Sequence, residues 1–82
     1  MAAECYRFHC TDGRHAAIDR VGKRIADPLL VWVHAERIAR EMMASCNRHL
    51  DWSEWIVDIH DSKGRHVGTL SFTDLRESQQ AA

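Results

Sequence analysis

Asp27-Pro28-Leu29-Leu30-Val31-Trp32-Val33-His34-Ala35 is the stretch on which the fold turns. An aspartate before a helix can accept hydrogen bonds from the unpaired N–H groups of the first turn. Proline suits the first helical position, where its missing donor is not needed. A helix that starts at Pro28 gathers Trp32, Ala35, Ala39, Met42, Met43, Cys46 and Leu50 on one side at the 3.6-residue period, flanked by Val31 and Ile38. Arg37, Arg40, Glu41 and Arg48 lie away from the centre of that side. At this spacing a stripe of Met, Trp and Cys reads as packed core rather than as a cofactor box.

Working back from the helix, Cys5 to Cys10 alternates with period two and puts Tyr6, Phe8 and Cys10 on one face, the mark of a half-buried strand. Asp12-Gly13 then signals a two-residue hairpin of type I′, whose central residues need positive φ. A second strand is expected from Arg14 to Asp19, and residues 20–26 read as a loop whose lone Ile25 tucks under the core.

Beyond the helix, residues 51–54 form a link. Trp55, Val57 and Ile59 alternate with Ile56, Asp58 and His60 to give a third strand, and Asp61-Ser62-Lys63-Gly64 is a turn. A fourth strand from Arg65 to Phe72 returns antiparallel, with His60 set against Arg65, Ile59 against His66 and Trp55 facing Leu70. Residues 73–82 should fray, with Leu75 docked on the core edge. The expected class is α+β: a ββαββ chain whose two hairpins form a small antiparallel or mixed sheet with one amphipathic helix on one face. Residues 1–75 make the single domain and 76–82 its frayed tail.

Length and composition narrow the function. A chain of 82 residues builds one modest core, too small for a deep cleft. With 45% hydrophobic and 28% charged residues it has the make-up of a soluble globular protein, and a net charge of -1 favours no polyanionic partner. The longest apolar run, Leu29 to Val33, is far too short to cross a bilayer, and Met1 to Arg7 lacks the apolar stretch of a signal peptide, so a cytoplasmic location is expected. Cys5, Cys10 and Cys46 are an odd number without a CxxC pair, which points to reduced thiols rather than a disulfide framework or a zinc ribbon.

The spacing resembles a family of short bacterial proteins of the rhizobial type, classed as a domain of unknown function. The likeness runs from Tyr6 to Leu75 through Asp12-Gly13, Asp19-x-x-Gly22-x-x-Ile25-x-Asp27, Arg40-Glu41-Met42-Met43-Ala44, Trp55-x-Val57-x-Ile59-x-Asp61-x-x-Gly64 and Leu70-x-Phe72. Each matching position is a turn former, a cap or a core residue, so the resemblance implies a ββαββ fold and no activity. The chain departs from the pattern at Trp32, where a polar or small residue is expected, and at His66 and Gly68, where aliphatic residues are.

No catalytic, cofactor or metal site is expected. His9, His15, His34, His49, His60 and His66 are scattered without the helical pair or Cys/His cluster that a tetrahedral ion needs. The nearest approach to one is Cys5 with His9 on one strand and His60 beside Asp58 on another, which meet only if those strands are neighbours. The serines lack an elbow motif, Cys46 falls in the buried stripe, and the glycines stand singly. Arg20, Lys23 and Arg24 in one loop offer a route to nucleic acid, opposed by balanced charge and by aromatics committed to the core. The favoured function is therefore a non-enzymatic interaction module, expected to be a homodimer or to bind an unidentified protein. Its interface is expected on the sheet face turned from the helix, at Ile18, Ile56, Val67 and Thr69.

Overall fold

The computed structural model of the chain describes residues 3–45 and 51–75. Strands β1 (Glu4–Thr11), β2 (Ala16–Ala17) and β3 (Lys23–Ile25) precede helix α1 (Pro28–Ser45). Strands β4 (Ile56–His60) and β5 (His66–Ser71) follow, and a single 3-10 turn (Phe72–Asp74) closes the described chain. The sheet is antiparallel throughout, in the order β2-β1-β4-β5, with β3 also paired to β1. Helix α1 packs across β1 and β4, so the class is α+β, in the ββαββ order that the periodicities imply once β2 and β3 are taken as one interrupted strand.

The expected second strand is not continuous. Ala16 and Ala17 pair with Thr11 and Cys10, the chain then leaves the sheet, and it returns as β3 to pair Lys23, Arg24 and Ile25 with Tyr6, Cys5 and Glu4. Phe8 faces the gap between these two stretches. Asp19 fills the gap with a side chain: its Oδ2 accepts the Phe8 N–H at 3.1 Å, and its Oδ1 accepts the N–H groups of Val21 and Gly22 at 3.0 and 2.8 Å. Its own N–H donates to His9 Nδ1 at 3.0 Å. Partial burial alone would raise the Asp19 carboxyl, but the Gly22, Phe8 and Val21 donors and the neighbouring His9 hold it below its ordinary value. Gly22 is obligatory here, because it has φ +80° and a Cβ would come 2.5 Å from Cys5 Sγ and 3.0 Å from the Tyr6 carbonyl oxygen.

The first hairpin also turns differently. Its positive φ is confined to Gly13, so Asp12 and Gly13 do not form the centre of a type I′ turn. Asp12 instead uses its side chain, with Oδ1 accepting from Arg14 N at 2.9 Å and His15 N at 2.7 Å, while Asp12 N donates to the His15 carbonyl at 3.2 Å. The second hairpin turns where expected: Gly64 has φ +79°, Gly64 N donates to Asp61 O at 3.0 Å and Asp61 N to Arg65 O at 2.9 Å, a type I turn followed by a left-handed glycine.

Register in that hairpin is shifted by two residues from the expectation. Val57 opposes Leu70, Ile59 opposes Gly68 and, across an irregularity, His60 opposes His66. Val67 is the extra residue of this bulge, which turns His66 to the outer face.

The core consists of Phe8, Cys10, Ile25, Val31, Ala35, Ala39, Val57, Ile59 and Phe72, with Tyr6, Trp55, Leu70 and Leu75 packed against it. Ile25 reaches it from a strand rather than from a loop, and residues 73–74, expected to fray, belong to the 3-10 turn. Trp52, assigned to a link, stacks on Phe72 at 5.5 Å and 22° and meets Trp55 edge-on at 5.4 Å.

Helix α1 starts as expected, with Leu29 N donating to Asp27 Oδ1 at 3.0 Å. Its buried side is centred on Val31, Ala35 and Ala39, not on Trp32, which is 40% exposed. Two alanines at the contact let the helix axis come close to the sheet, and the large side chains fall to the flanks. The Trp32 indole lies over Gly68 of β5, where a Cβ would come 2.4 Å from the ring. Cys46 and Leu50, read as the end of the stripe, and the expected tail at 76–82 lie outside the described residues.

Asp19→Ala should cost about 2–3 kcal/mol, since main-chain donors at a half-buried edge lose their acceptor. Urea denaturation measures this, and a loss below about 0.5 kcal/mol, the range of an ordinary surface change, would mean that water replaces the carboxylate without penalty. Gly68→Ala should push the indole aside, with a red-shifted Trp emission and a loss of about 1–2 kcal/mol. In a Trp32→Ala background the same change should be close to neutral, and a double-mutant cycle without coupling would contradict the contact.

Candidate functional site

The pairing of β1 with β4 sets His9 opposite Asp58 and Arg7 opposite His60, while β5 brings Thr69 opposite Asp58. Imidazoles from neighbouring strands therefore line up on the outer face: His9 and His60 have ring centroids 5.5 Å apart, as do His60 and His66. Asp58 sits beneath them. Its Oδ2 lies 3.1 Å from His60 Nε2 and its Oδ1 2.7 Å from His66 Nε2, with Thr69 Oγ1 3.1 Å from the latter nitrogen.

His60 Nδ1 faces the Gly64 carbonyl at 3.4 Å. Both neighbours of the ring are acceptors, so both are satisfied only when each nitrogen carries a proton. The hydrogen bond to Asp58 accordingly raises the His60 pKa, aided by Gly64 and Asp61. Partial burial alone would raise the Asp58 carboxyl, but the His60 hydrogen bond and the charges of His60 and His66 hold it below its ordinary value. Of the expected approach, His9 does meet His60 and His66 joins because of the bulge, whereas Cys5 stands opposite Arg24 with its thiol toward the Val21 carbonyl and takes no part. Among the described residues, however, no group of three His, Cys, Asp or Glu side chains is disposed to hold a metal ion.

The expected interface residues do not form one patch. Ile56 lies on the outer face in β4, half-buried between Thr11 and Ser71, and Thr69 belongs to the Asp58 network. Val67 is 41% exposed in the bulge. Ile18 is 55% exposed but lies in the loop after β2, where it lines a groove on the helix side with Phe8, Cys10, His34 and Met42. The outer face is accordingly polar at its centre. Of the expected basic loop, Lys23 and Arg24 are consecutive residues of β3, so their side chains leave opposite faces of the sheet.

The apolar surface lies on the helix instead. Leu29, Leu30 and Val33 are 74%, 51% and 59% exposed, and with Trp32 they occupy the first turn and a half of α1. Val33 points away from the core side and forms a crest. A shallow cleft lined by Leu29, Trp32, Val33 and Glu36 runs along one flank. A second cleft of about 370 Å³ runs along the other, between α1 and β3, lined by residues that include Lys23, Ile25, Leu30, His34 and Arg37. His34 stacks edge-on against Phe8 at 4.7 Å; burial, then Lys23 and Arg37, lowers its pKa.

Candidate nucleophiles are occupied structurally. Cys10 is buried and its thiol is pushed up to about 11 by burial and by Asp19, so it stays protonated. Cys5 donates weakly to the Val21 carbonyl at 3.9 Å, Ser45 bonds the Met42 carbonyl and Ser71 caps the 3-10 turn. No helix among the described residues is long and apolar enough to cross a membrane.

A family model described as Domain of unknown function (DUF6894) matches residues 5–73, which include the helix and, Glu4 of β1 apart, every strand. No curated protein and no solved structure matches the chain.

The Asp58–His60 pair makes stability depend on pH. With its pKa raised, His60 contributes stability that is fully present below its ordinary 6.5 and is lost as pH rises through the folded value. Asp58, with its pKa lowered, contributes above its ordinary 3.8 and loses the contribution below it. His34 works against His60, because a lowered pKa lets stability grow as pH rises through 6.5. The parent and Asp58→Asn should therefore differ most between about pH 4.5 and 6 and converge toward about pH 8, read from urea midpoints. A difference that does not vary with pH would contradict the assignment.

Proposed function

The chain belongs to the DUF6894 family, a domain of unknown function, and we propose that it serves as a non-enzymatic protein-interaction module whose contact surface is the exposed side of α1. The observation that carries this reading is the exposure of Leu29, Leu30, Trp32 and Val33 together on the first turns of the helix, while its core side is built from Val31 and alanines. A helix normally keeps its largest apolar residues for the core, and a contiguous apolar surface is the usual mark of a contact with another protein.

The simplest partner is a second copy, and the helix crest supports a homodimer better than the outer sheet face does. There, Asp58, His60, His66 and Thr69 are already engaged with one another, so Ile56 and Val67 have no apolar centre between them. The non-enzymatic reading rests on the suppressed Cys10 thiol and on the structural roles of the serines, and a cytoplasmic setting suits the free thiols of Cys5 and Cys10. Nucleic acid draws little support, because Lys23 and Arg24 do not form a one-sided basic patch.

Light scattering over a concentration series tests the proposal. The parent should reach the mass of a dimer, and Leu29→Lys with Val33→Glu should give a folded monomer with unchanged circular dichroism. Ile56→Lys with Val67→Lys should leave the mass of the parent unaltered. A parent that stays monomeric at its highest soluble concentration, or dissociation by the second pair of changes alone, would overturn the assignment of this surface.

A further inference from the structure

Strand β3 is a sheet edge with a cleft beside it. It pairs with β1 on one side only, and along its other side α1 stands off far enough to leave the space of about 370 Å³. An edge strand offers unpaired main-chain N–H and C=O groups, and an extended segment can satisfy them by lying down as one more strand. Alternate side chains of such a segment would then point into the cleft and away from it.

The chemistry of the lining states what the segment should be. Leu30 and Val33, both exposed, and the edge of Ile25 give the cleft an apolar floor. Lys23 and Arg37 stand at its walls, and Arg24 leaves β3 on the opposite side. The lining acid, Asp27, is committed to the Leu29 N–H as the helix cap, and Arg37, paired with Glu41 at 3.1 Å, keeps 70% of its side chain exposed. A net charge of -1 for the whole chain conceals this local excess.

We propose that the cleft between β3 and α1 binds an acidic extended peptide, which adds a strand to Lys23–Ile25 and turns alternate side chains into the cleft, apolar ones onto Leu30 and Val33 and carboxylates toward Lys23 and Arg37. This goes beyond self-association and competes with it, because Leu30 and Val33 belong to both surfaces, whereas Leu29 and Trp32 on the opposite flank serve self-association alone.

The test uses a fluorescein-labelled seven-residue peptide of sequence Leu-Thr-Glu-Thr-Leu-Thr-Glu, whose leucine and glutamate side chains share one face of an extended strand, titrated by anisotropy at physiological salt against the parent and the Leu29→Lys protein. Saturable binding to the Leu29→Lys protein is expected, with backbone amide shifts centred on Lys23–Ile25 in nuclear magnetic resonance. Lys23→Glu with Arg37→Glu should weaken binding at least tenfold, about 1.4 kcal/mol. A peptide with lysine in place of glutamate should fail, as should one methylated on alternate backbone nitrogens along the pairing edge. Absence of saturation, equal binding of the lysine peptide, or equal binding of the methylated peptide would overturn the proposal. Because the titration is read on the Leu29→Lys protein, a failure here is distinct from a failure of the parent to dimerise.

Discussion

The carboxylate of Asp19 stands where a strand should be. Between the pairing of β2 with Cys10 and Thr11 and that of β3 with Glu4 to Tyr6, the side of β1 turned from β4 has no strand neighbour at Phe8, and the carboxylate accepts the Phe8 N–H instead. Its second oxygen gathers the Val21 and Gly22 N–H groups, so the excursion of the chain is closed on itself before β3 begins. The rest of the layout depends on that closure. Ile25 arrives on the core side two residues before Asp27, and the helix starts with its axis already over the sheet. Replacing a backbone partner by a side chain also leaves β3 short and single-sided, and so leaves its outer edge open.

The parts of this fold legible in the sequence were those set by local periodicity or by cap chemistry. Asp27-Pro28 marked the helix start, and the alternation at Tyr6, Phe8 and Cys10 and at Val57 and Ile59 marked the core faces of β1 and β4. What was not legible depended on pairs distant in sequence. The break in the second strand follows from Asp19 bonding across to β1, and the offset of β5 follows from a turn that pairs Asp61 with Arg65 and a bulge at Val67. Period two fixes the face a residue takes but is blind to a register shift of two. The helix stripe was drawn with Trp32, Ala35 and Ala39 in it and Val31 at its flank, whereas the sheet accepts the alanines and Val31 at the closest approach, so the buried side is rotated from Trp32 toward Val31.

The candidate surfaces show the same division. The chain contains Asp58 and His60 side by side, and only the pairing of β1 with β4 adds His9, and only the bulge adds His66. That network makes the outer face polar where aliphatics had suggested an interface. The run Leu29 to Val33 was noticed as the longest apolar stretch and weighed only against a bilayer, with Trp32 and Val31 placed on the core side, yet five consecutive residues of a helix point all around it. Most of them must face away from the sheet. The exposure of Leu29, Leu30 and Val33 was thus implicit in the helical period, and the buried stripe drew attention away from it.

Trp32 and Gly68 are two of the three positions, with His66, at which this chain departs from the expected spacing, and the structure places one directly over the other. Side-chain volume there behaves as a quantity shared between α1 and β5. The indole takes up the room that an aliphatic side chain on β5 would fill, so a large group can stand at either position but not at both. The two departures amount to one exchange across the helix–sheet contact. Neither residue, moved alone into a related chain, would carry its packing with it, and descent through either single change would pass through a hole or a collision.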